Sequence, residues 1–391
     1  MSENMFDMSN AVSTEDLRKL LTLQAKKLME HPEFAKRLPP LMVWGAPGIG
    51  KSSIMRGVAE ELGIGFIDVR LAQREPVDIR GLPVPDKDNK SVAWYVSDEW
   101  PRDPKSKGII LFDEITAADR SLQVAAYELI LDRRLGDLYS MPDGWYVCAA
   151  GNRVEDGAVA MTMSSALANR FLHVELHEDP ELWVKWAMRH DIDPSVTGFI
   201  RYRPGLLFRH EGENLERGWP SPRSWDRVSS MLGVLGDDED LLPRVVNGLV
   251  GNAAGTEFLA FRKVMKEMDD VRELMLDPNR KIEIPSKADR KYAMCSAAAF
   301  YVWRGKDAAE QKKLLDGFFR IALELPGDFS AMLMMDSMQS DAADENDKRR
   351  VKALYEHPAF KDWSRKHGLA MRKRMKGKAE DAAKESKKGK E

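Results

Sequence analysis

The chain has 391 residues, 43% of them hydrophobic and 31% charged, with a formal net charge of −3 and two cysteines. That length suits two or three domains, and that balance suits a folded globular chain. Cys148 and Cys295 are too few for a disulfide framework or a cysteine-rich metal site. The N-terminus lacks a basic-then-apolar leader and no apolar run nears the ~18 residues of a membrane span, so a cytoplasmic protein without a membrane segment is expected.

In chain order, residues 13–37 read as a helical entry, with Ser13 or Thr14 as N-cap and apolar residues three and four apart. "PPLMVWG" (39–45) is a short apolar run that stops at a glycine. "SSIMRGVAEELG" (52–63) is an amphipathic helix ending at Gly63, and "GFIDVRLA" (65–72) is a second strand. The stretch from Arg74 to Val96 is rich in Pro and Asp and reads as an excursion from the core. "GIILFDE" (108–114) is a buried strand, and 118–134 is a helix. "GDLYSMPDGWYVCAAGN" reads as a hairpin feeding a fourth strand, and "FLHVEL" (171–176) is a fifth. Strands alternating with helices predict a mostly parallel, doubly wound α/β sheet.

After His177 the strands stop. "DPELWVKWAMRH", "DPSVTGFIRYR" and "SPRSWDRVSSMLGVL" have helical spacing and start at Asp-Pro or Ser-Pro. Residues 240–368 stay helical, with a linker at 278–290 and a polar break at 340–350. "SAMLMMDSM" (330–338) reads as core, with an adaptable contact surface as the alternative. "LMEHPEF" (28–34) and "LYEHPAF" (354–360) resemble each other because a proline follows a helix end in both. From Arg365 to Glu391 there are 11 Lys/Arg against 4 Asp/Glu, a tail of about +7 on a remainder of about −10. The tail reads as a solvated, disordered extension; holding nucleic acid or an acidic partner is the alternative.

The strongest chemical signal is "GAPGIGKSS" (45–53), a full G-x-x-x-x-G-K-[ST] between an apolar strand and a helix. Glycines 45, 48 and 50 let backbone N–H groups turn inward around a β-phosphate, so the cradle is Gly45, Ala46, Pro47, Gly48, Ile49, Gly50, Lys51, Ser52 and Ser53. The helix N-terminus adds its dipole. Lys51 offers a cation to the β- and γ-phosphates, and Ser52 offers a hydroxyl to Mg²⁺. "IILFDE" then places Asp113 and Glu114 at the carboxyl edge of the sheet. There Asp113 would hold Mg²⁺ through water and Glu114 would polarise the attacking water. A kinase does not need the second acid, so the pair favours hydrolysis of ATP.

The ordered set "GAPGIGKSS", "IILFDEI", "AAGN", "ALANRF" and "SPRSWDRV" resembles the AAA+ ATPases. "DIRGLPV" (78–84), after the second strand, is similar to the start of an insertion in their MoxR-like branch. "LDRRLG", "SALANRF" and "PRSW" are similar to a group of that branch found in phage and bacterial operons. The resemblance covers residues 38–235 and extends loosely toward the C-terminus. It implies a P-loop AAA+ core, a helical lid and a further helical region. It also implies a ring, most simply a hexamer, that remodels or matures a partner protein. That partner is often one with a von Willebrand factor A domain.

Carried onto single residues, the resemblance makes Asn152 the sensor that reports the γ-phosphate or lytic water. It makes Arg170 the finger that reaches the ATP of the neighbouring subunit, a role worth ~10³-fold or more in rate. Arg223, in "SPR" at the start of a lid helix, matches a second sensor. The plain alternatives are a turn residue for Asn152, an ion pair with a neighbour such as Glu175 for Arg170, and a surface arginine for Arg223. Arg153 and Asn169 read as structural. Arg133 and Arg134 suit the negative end of their helix, with a second trans-acting arginine as the alternative. Trp94 and Tyr95, in the insertion, either grip a substrate or pack on their own sheet. The expected divisions are 1–178, core with its N-terminal helix; 179–256, lid; 257–364, C-terminal helices; and 365–391, basic tail. A nucleic-acid motor is the rival reading, with the tail as its only support.

Overall fold

The computed structural model describes residues 10–153, 163, 165–209, 218–236, 238, 240–268, 270–338 and 345–388. The chain divides into two units, one up to Asp179 and one from Pro180 onward.

The first unit begins with β1 (Ala11–Val12) and α1 (Thr14–Glu30). Ser13 caps α1 by accepting from the Asp16 N–H, and the Asp16 carboxylate closes the capping box. Next come β2 (Leu41–Trp44), α2 (Lys51–Leu62), β3 (Gly65–Arg70), α3 (Pro76–Arg80) and the antiparallel hairpin β4 (Leu82–Asp86) with β5 (Ser91–Tyr95). Then follow β6 (Gly108–Asp113), α4 (Arg120–Leu131), a small hairpin of β7 (Arg134–Leu135) and β8 (Tyr139–Ser140), β9 (Trp145–Gly151), α5 (Ser165–Ala168) and β10 (Leu172–Leu176). The main sheet has six strands in the order β1-β10-β2-β9-β6-β3, every pair parallel. Five were expected. The sixth, β1, is two residues long and has no periodicity to read.

Both faces of this sheet are covered, as parallel strands require. Met42, Ile110, Phe112, Val147 and Ala149 face a core completed by Leu122, Ala126 and Leu129 of α4 and Ile79 of α3. Val43, Ile109, Leu111 and Cys148 are also buried, as are Leu17, Leu21 and Leu28 of α1 and Met55 and Val58 of α2. Every residue of β9 is buried, which is why "WYVCAAG" reads as one apolar run. Burial pushes the Cys148 thiol far up, so it packs as a small apolar residue.

The insertion from Arg74 to Val96 is ordered. A proline starts α3, Glu75 and Asp78 box its N-terminus, and the β4–β5 hairpin follows. Trp94 is 46% and Tyr95 64% exposed, so both present much of their rings to solvent.

The second unit comprises α6 (Pro180–Arg189), α7 (Pro194–Tyr202), α8 (Pro222–Leu235), α9 (Leu242–Val250), α10 (Asn252–Lys266), α11 (Val271–Leu276), α12 (Ala288–Tyr301), α13 (Ala308–Glu324), α14 (Gly327–Ser337), α15 (Glu345–Glu356) and α16 (Phe360–Lys388). One core gathers Phe199, Trp225 and Phe258, with the Trp225 indole N–H donating to the Leu206 carbonyl. A second gathers Phe318, Phe319, Met332, Met334 and Trp363, so the methionine-rich stretch is core. Met188, Met265 and Met268 pack against both. The division expected after residue 256 falls inside α10, one unbroken helix. The tail expected as disordered is helical through Lys388 within α16. Its Lys, Arg, Ala and Glu are good helix formers, and no proline interrupts them. No helix among the described residues is long and apolar enough to cross a membrane.

Candidate nucleotide site

Register brings the sequence motifs to one edge of the sheet. Trp44, the last residue of β2, pairs with Gly151, the last of β9, and Asp113 ends β6. After Trp44 the chain turns through Gly48 and Gly50, whose φ angles are 87° and 101°, conformations that side chains resist. Gly50 caps α2, so the first helical N–H groups open onto this edge.

Lys51 starts α2 and is buried. Its ammonium donates to the Gly45 carbonyl at 2.6 Å, to the Ala46 carbonyl at 3.0 Å and to Asn152 Oδ1 at 3.0 Å. The phosphate-loop lysine and the amide at the end of β9 thus meet, although 101 positions separate them. Ser52 Oγ donates to Asp113 Oδ2 at 2.6 Å, and the Glu114 N–H donates to the other carboxylate oxygen at 2.9 Å. A hydroxyl and a carboxylate in contact are the hard oxygen pair that suits Mg²⁺ beside nucleotide phosphates.

Glu114 has a φ of 56°, uncommon for a residue other than glycine and of the kind found where geometry serves a site. The strain is held by its N–H bond to Asp113 and by the next residue, whose N–H donates to the Ala150 carbonyl at 3.0 Å. The turn leaves the Glu114 side chain exposed just beyond Asp113.

Two residues outside the sequence motifs also bear on this edge. Thr116 is 2% exposed; its hydroxyl accepts from the Asn152 N–H at 3.1 Å and faces the Asn152 carbonyl at 3.4 Å. The acid loop therefore fixes the backbone that carries the Asn152 amide. Gly151 makes this possible, because a Cβ there would lie 2.7 Å from Thr116 Cγ2. The other is Asp68 on β3. Its carboxyl is raised, first by burial and then by the Asp113 charge, although Arg56 lies 3.4 Å away. The signal for Thr116 in the sequence is the run "DEIT", which continues two residues past the acid pair.

The two Asn-Arg pairs separate in space. Arg153 pairs with Glu175 at 3.4 Å, so Glu175 is taken by the arginine of the first pair. Arg170 lies just before β10, in a turn where its N–H donates to the Leu167 carbonyl at 3.1 Å. Leu172 pairs with Leu41 and Glu175 with Trp44, so Arg170 sits at the opposite edge from the phosphate loop. Five residues of strand rise put roughly 15 Å between them. Its side chain is exposed and has no ion-pair partner among the described residues. It lines a recess of about 250 Å³ with Lys36, Arg37 and Arg133.

Arg133 itself is 7% exposed, has a φ of 58°, and donates to the Pro142 carbonyl at 2.8 Å. Burial holds its guanidinium below the usual arginine range. Arg134 is exposed and lies 3.4 Å from Glu128. Arg223 belongs to the helical unit, exposed in the first turn of α8, whose cap is the Ser221 hydroxyl on the Ser224 N–H. Residues 154–162 and 164, between Arg153 and α5, lie outside the described residues.

A glycine-rich loop with its lysine on a helix N-terminus, a serine on the aspartate of the next motif and an exposed second acid together define a P-loop nucleoside-triphosphate hydrolase. Residues 41–173 match the family described as "ATPase family associated with various cellular activities (AAA)". The chain thus carries an AAA-family domain over about a third of its 391 residues, and is an ATPase. Among solved structures, the RuvB Holliday junction branch migration motor of Thermotoga maritima is 16% identical, covering 67% of this chain and 74% of that one at a TM-score of 0.36. NtrX from Brucella abortus, in complex with ADP, is 16% identical, covering 78% of this chain and 64% of that one at a TM-score of 0.35. No curated protein matches the chain.

Proposed function

We propose that this protein is a Mg²⁺–ATP-driven ring ATPase of the MoxR-like branch, most simply a hexamer, that remodels or matures a partner protein in the cytoplasm. A partner with a von Willebrand factor A domain is the first to try. Lys51 and the loop N–H groups bind the phosphates, Ser52 and Asp113 hold the metal ion, and Glu114 orients the water. Asn152 reads the terminal phosphate. A bound Mg²⁺ would supply neutralisation of charge on the β- and γ-phosphates. Arg223 is proposed as the contact from the helical unit to the nucleotide.

The observation that carries the ring is the place of Arg170. It lies at the wrong edge of its own sheet to reach its own phosphates, exposed beside three other cations. An always-charged, bidentate group so placed suits the phosphates held by a second copy. The test mixes two inactive variants. Glu114→Gln subunits keep the arginine and lose the acid, and Arg170→Ala subunits keep the acid and lose the arginine. ATPase activity should return in the mixture at interfaces that pair an intact Glu114 with an intact Arg170. A mixture that stays inactive at every ratio, with assembly verified by light scattering, would overturn the ring assignment.

A further inference from the structure

Trp44 and His173 sit on neighbouring strands and the same face of the sheet, since His173 pairs with Met42 and Glu175 with Trp44. The Trp44 indole N–H donates to His173 Nδ1 at 2.9 Å, and the rings lie 6.0 Å apart at an interplanar angle of 15°. An Nδ1 that accepts carries no proton, so the ring's N–H is at Nε2. That nitrogen faces the Ala168 carbonyl at 2.7 Å and donates to it. The edge of Phe171 packs against the same imidazole at 6.1 Å.

Each end of this chain of bonds is tied to one of the two half-sites. Trp44 is the residue directly before Gly45, where the phosphate loop leaves β2. Ala168 ends α5 and opens the turn that carries Arg170. One neutral imidazole therefore spans the backbone that starts the phosphate loop and the backbone that aims the arginine. Nothing in phosphate binding or water activation uses this ring, yet both of its nitrogens are committed.

We propose that His173 is a positioning residue that couples the phosphate loop of one ATP site to Arg170, the group serving the next. A shift of Trp44 as the loop closes on a triphosphate passes through the imidazole to the Ala168 carbonyl and so to the turn of Arg170. A second strut runs alongside it, since Glu175, the register partner of Trp44, is held by Arg153. This inference rests on the trans role of Arg170, and its test is built to fail separately from that reading.

His173→Phe keeps an aromatic ring and removes both hydrogen bonds. His173→Gln keeps an acceptor and a donor. In the assembled protein His173→Phe should lower kcat roughly five- to tenfold, as expected for two lost bonds on one path, and leave the KM for ATP within about twofold. His173→Gln should recover most of the rate. The deciding measurement mixes His173→Phe subunits with Glu114→Gln subunits. If His173 acts through the arginine, turnover per intact Glu114 should rise toward the wild-type value, because those sites now receive an arginine aimed by a native His173. A per-site rate equal to that of His173→Phe alone overturns the proposal, as does equal loss in the Phe and Gln variants. Failure of the parallel Glu114→Gln and Arg170→Ala mixture instead removes the ring reading itself. Should His173→Phe melt at a lower temperature, Trp44→Phe breaks the same path from its other end. It must give the same mixing pattern, and a Trp44→Phe rate that mixing leaves unchanged also overturns the coupling.

Discussion

The two edges of the main sheet are built differently. At the carboxyl edge of β2, β6 and β9 the polar groups satisfy one another: Lys51 on Asn152 and two loop carbonyls, Ser52 on Asp113, Asn152 on Thr116. At the amino edge Arg170, Lys36 and Arg37 are exposed around one recess with the buried Arg133. Groups already held in place meet a phosphate by exchanging bonds, such as those of Lys51 to the loop carbonyls and Asn152, without first having to be ordered. Clustered exposed cations instead repel one another until an anion arrives. At one edge the polar groups are paired with one another, and at the other the recess is lined by four cations with Asp132 as its acidic residue.

The largest effect that could break this contrast is Lys51→Ala. It removes the cation shared by the loop and Asn152, so nucleotide binding and turnover should both be lost, with activity down by roughly 10³-fold or more at any protein concentration. Arg170→Ala should lose a comparable share of turnover and leave ATP affinity unchanged in dilute protein, measured by titrating a fluorescent ATP analogue. If dilute Arg170→Ala fails to bind nucleotide, the arginine belongs to its own site and the contrast between the edges disappears.

A smaller effect probes how tightly the carboxyl edge is held. Thr116→Val keeps the shape and deletes the hydroxyl that accepts from the Asn152 N–H. Leaving that donor without its partner should cost about 1–3 kcal/mol of stability. It should also lower kcat roughly tenfold by loosening the amide beside Lys51. A calorimetric melt and a steady-state ATPase assay read the two separately. A variant that melts earlier at full kcat would show that Thr116 holds the fold and not the amide.

Much of this was legible beforehand because the motifs are local. "GAPGIGKSS" specifies a loop, a helix start and a cation within nine residues, and "IILFDE" a buried strand with its acids. What escaped was set by strand register and by helix propensity. Nothing near Thr116 in the sequence announces Asn152, which only the pairing of β9 with β6 brings close. Nothing near Trp44 announces His173, which lies 129 positions away. β1 is too short for any pattern. The charge of the tail suggests a solvated extension, but that charge sits on residues that favour helix. The left-handed turn at Glu114 could not be read at all, since the residue type argues against it and tertiary bonds impose it.

The smallest expected effect concerns Asp68, where the carboxyl edge is not ideal for stability. Its Oδ1 is buried without a hydrogen-bond partner, and burial and then the nearby Asp113 raise its carboxyl above the ordinary 3.8. A raised acid binds its proton more tightly folded than unfolded. Its contribution to stability is therefore most favourable below the unfolded value and is lost as pH climbs through the higher folded value. Above that window Asp68 is ionised in both states and costs the fold the same amount at every pH. Asp68→Asn keeps the shape and an acceptor for Arg56 and removes the charge. The nucleotide-free variant should therefore melt at most a few degrees higher at neutral pH, with the gain shrinking as pH falls through the acid range. A gain that does not change with pH would assign the effect to packing, and a loss at neutral pH would mean that the Arg56 pairing outweighs the burial. If the gain in stability comes with slower ATP turnover, the carboxyl edge trades stability for charge beside Asp113.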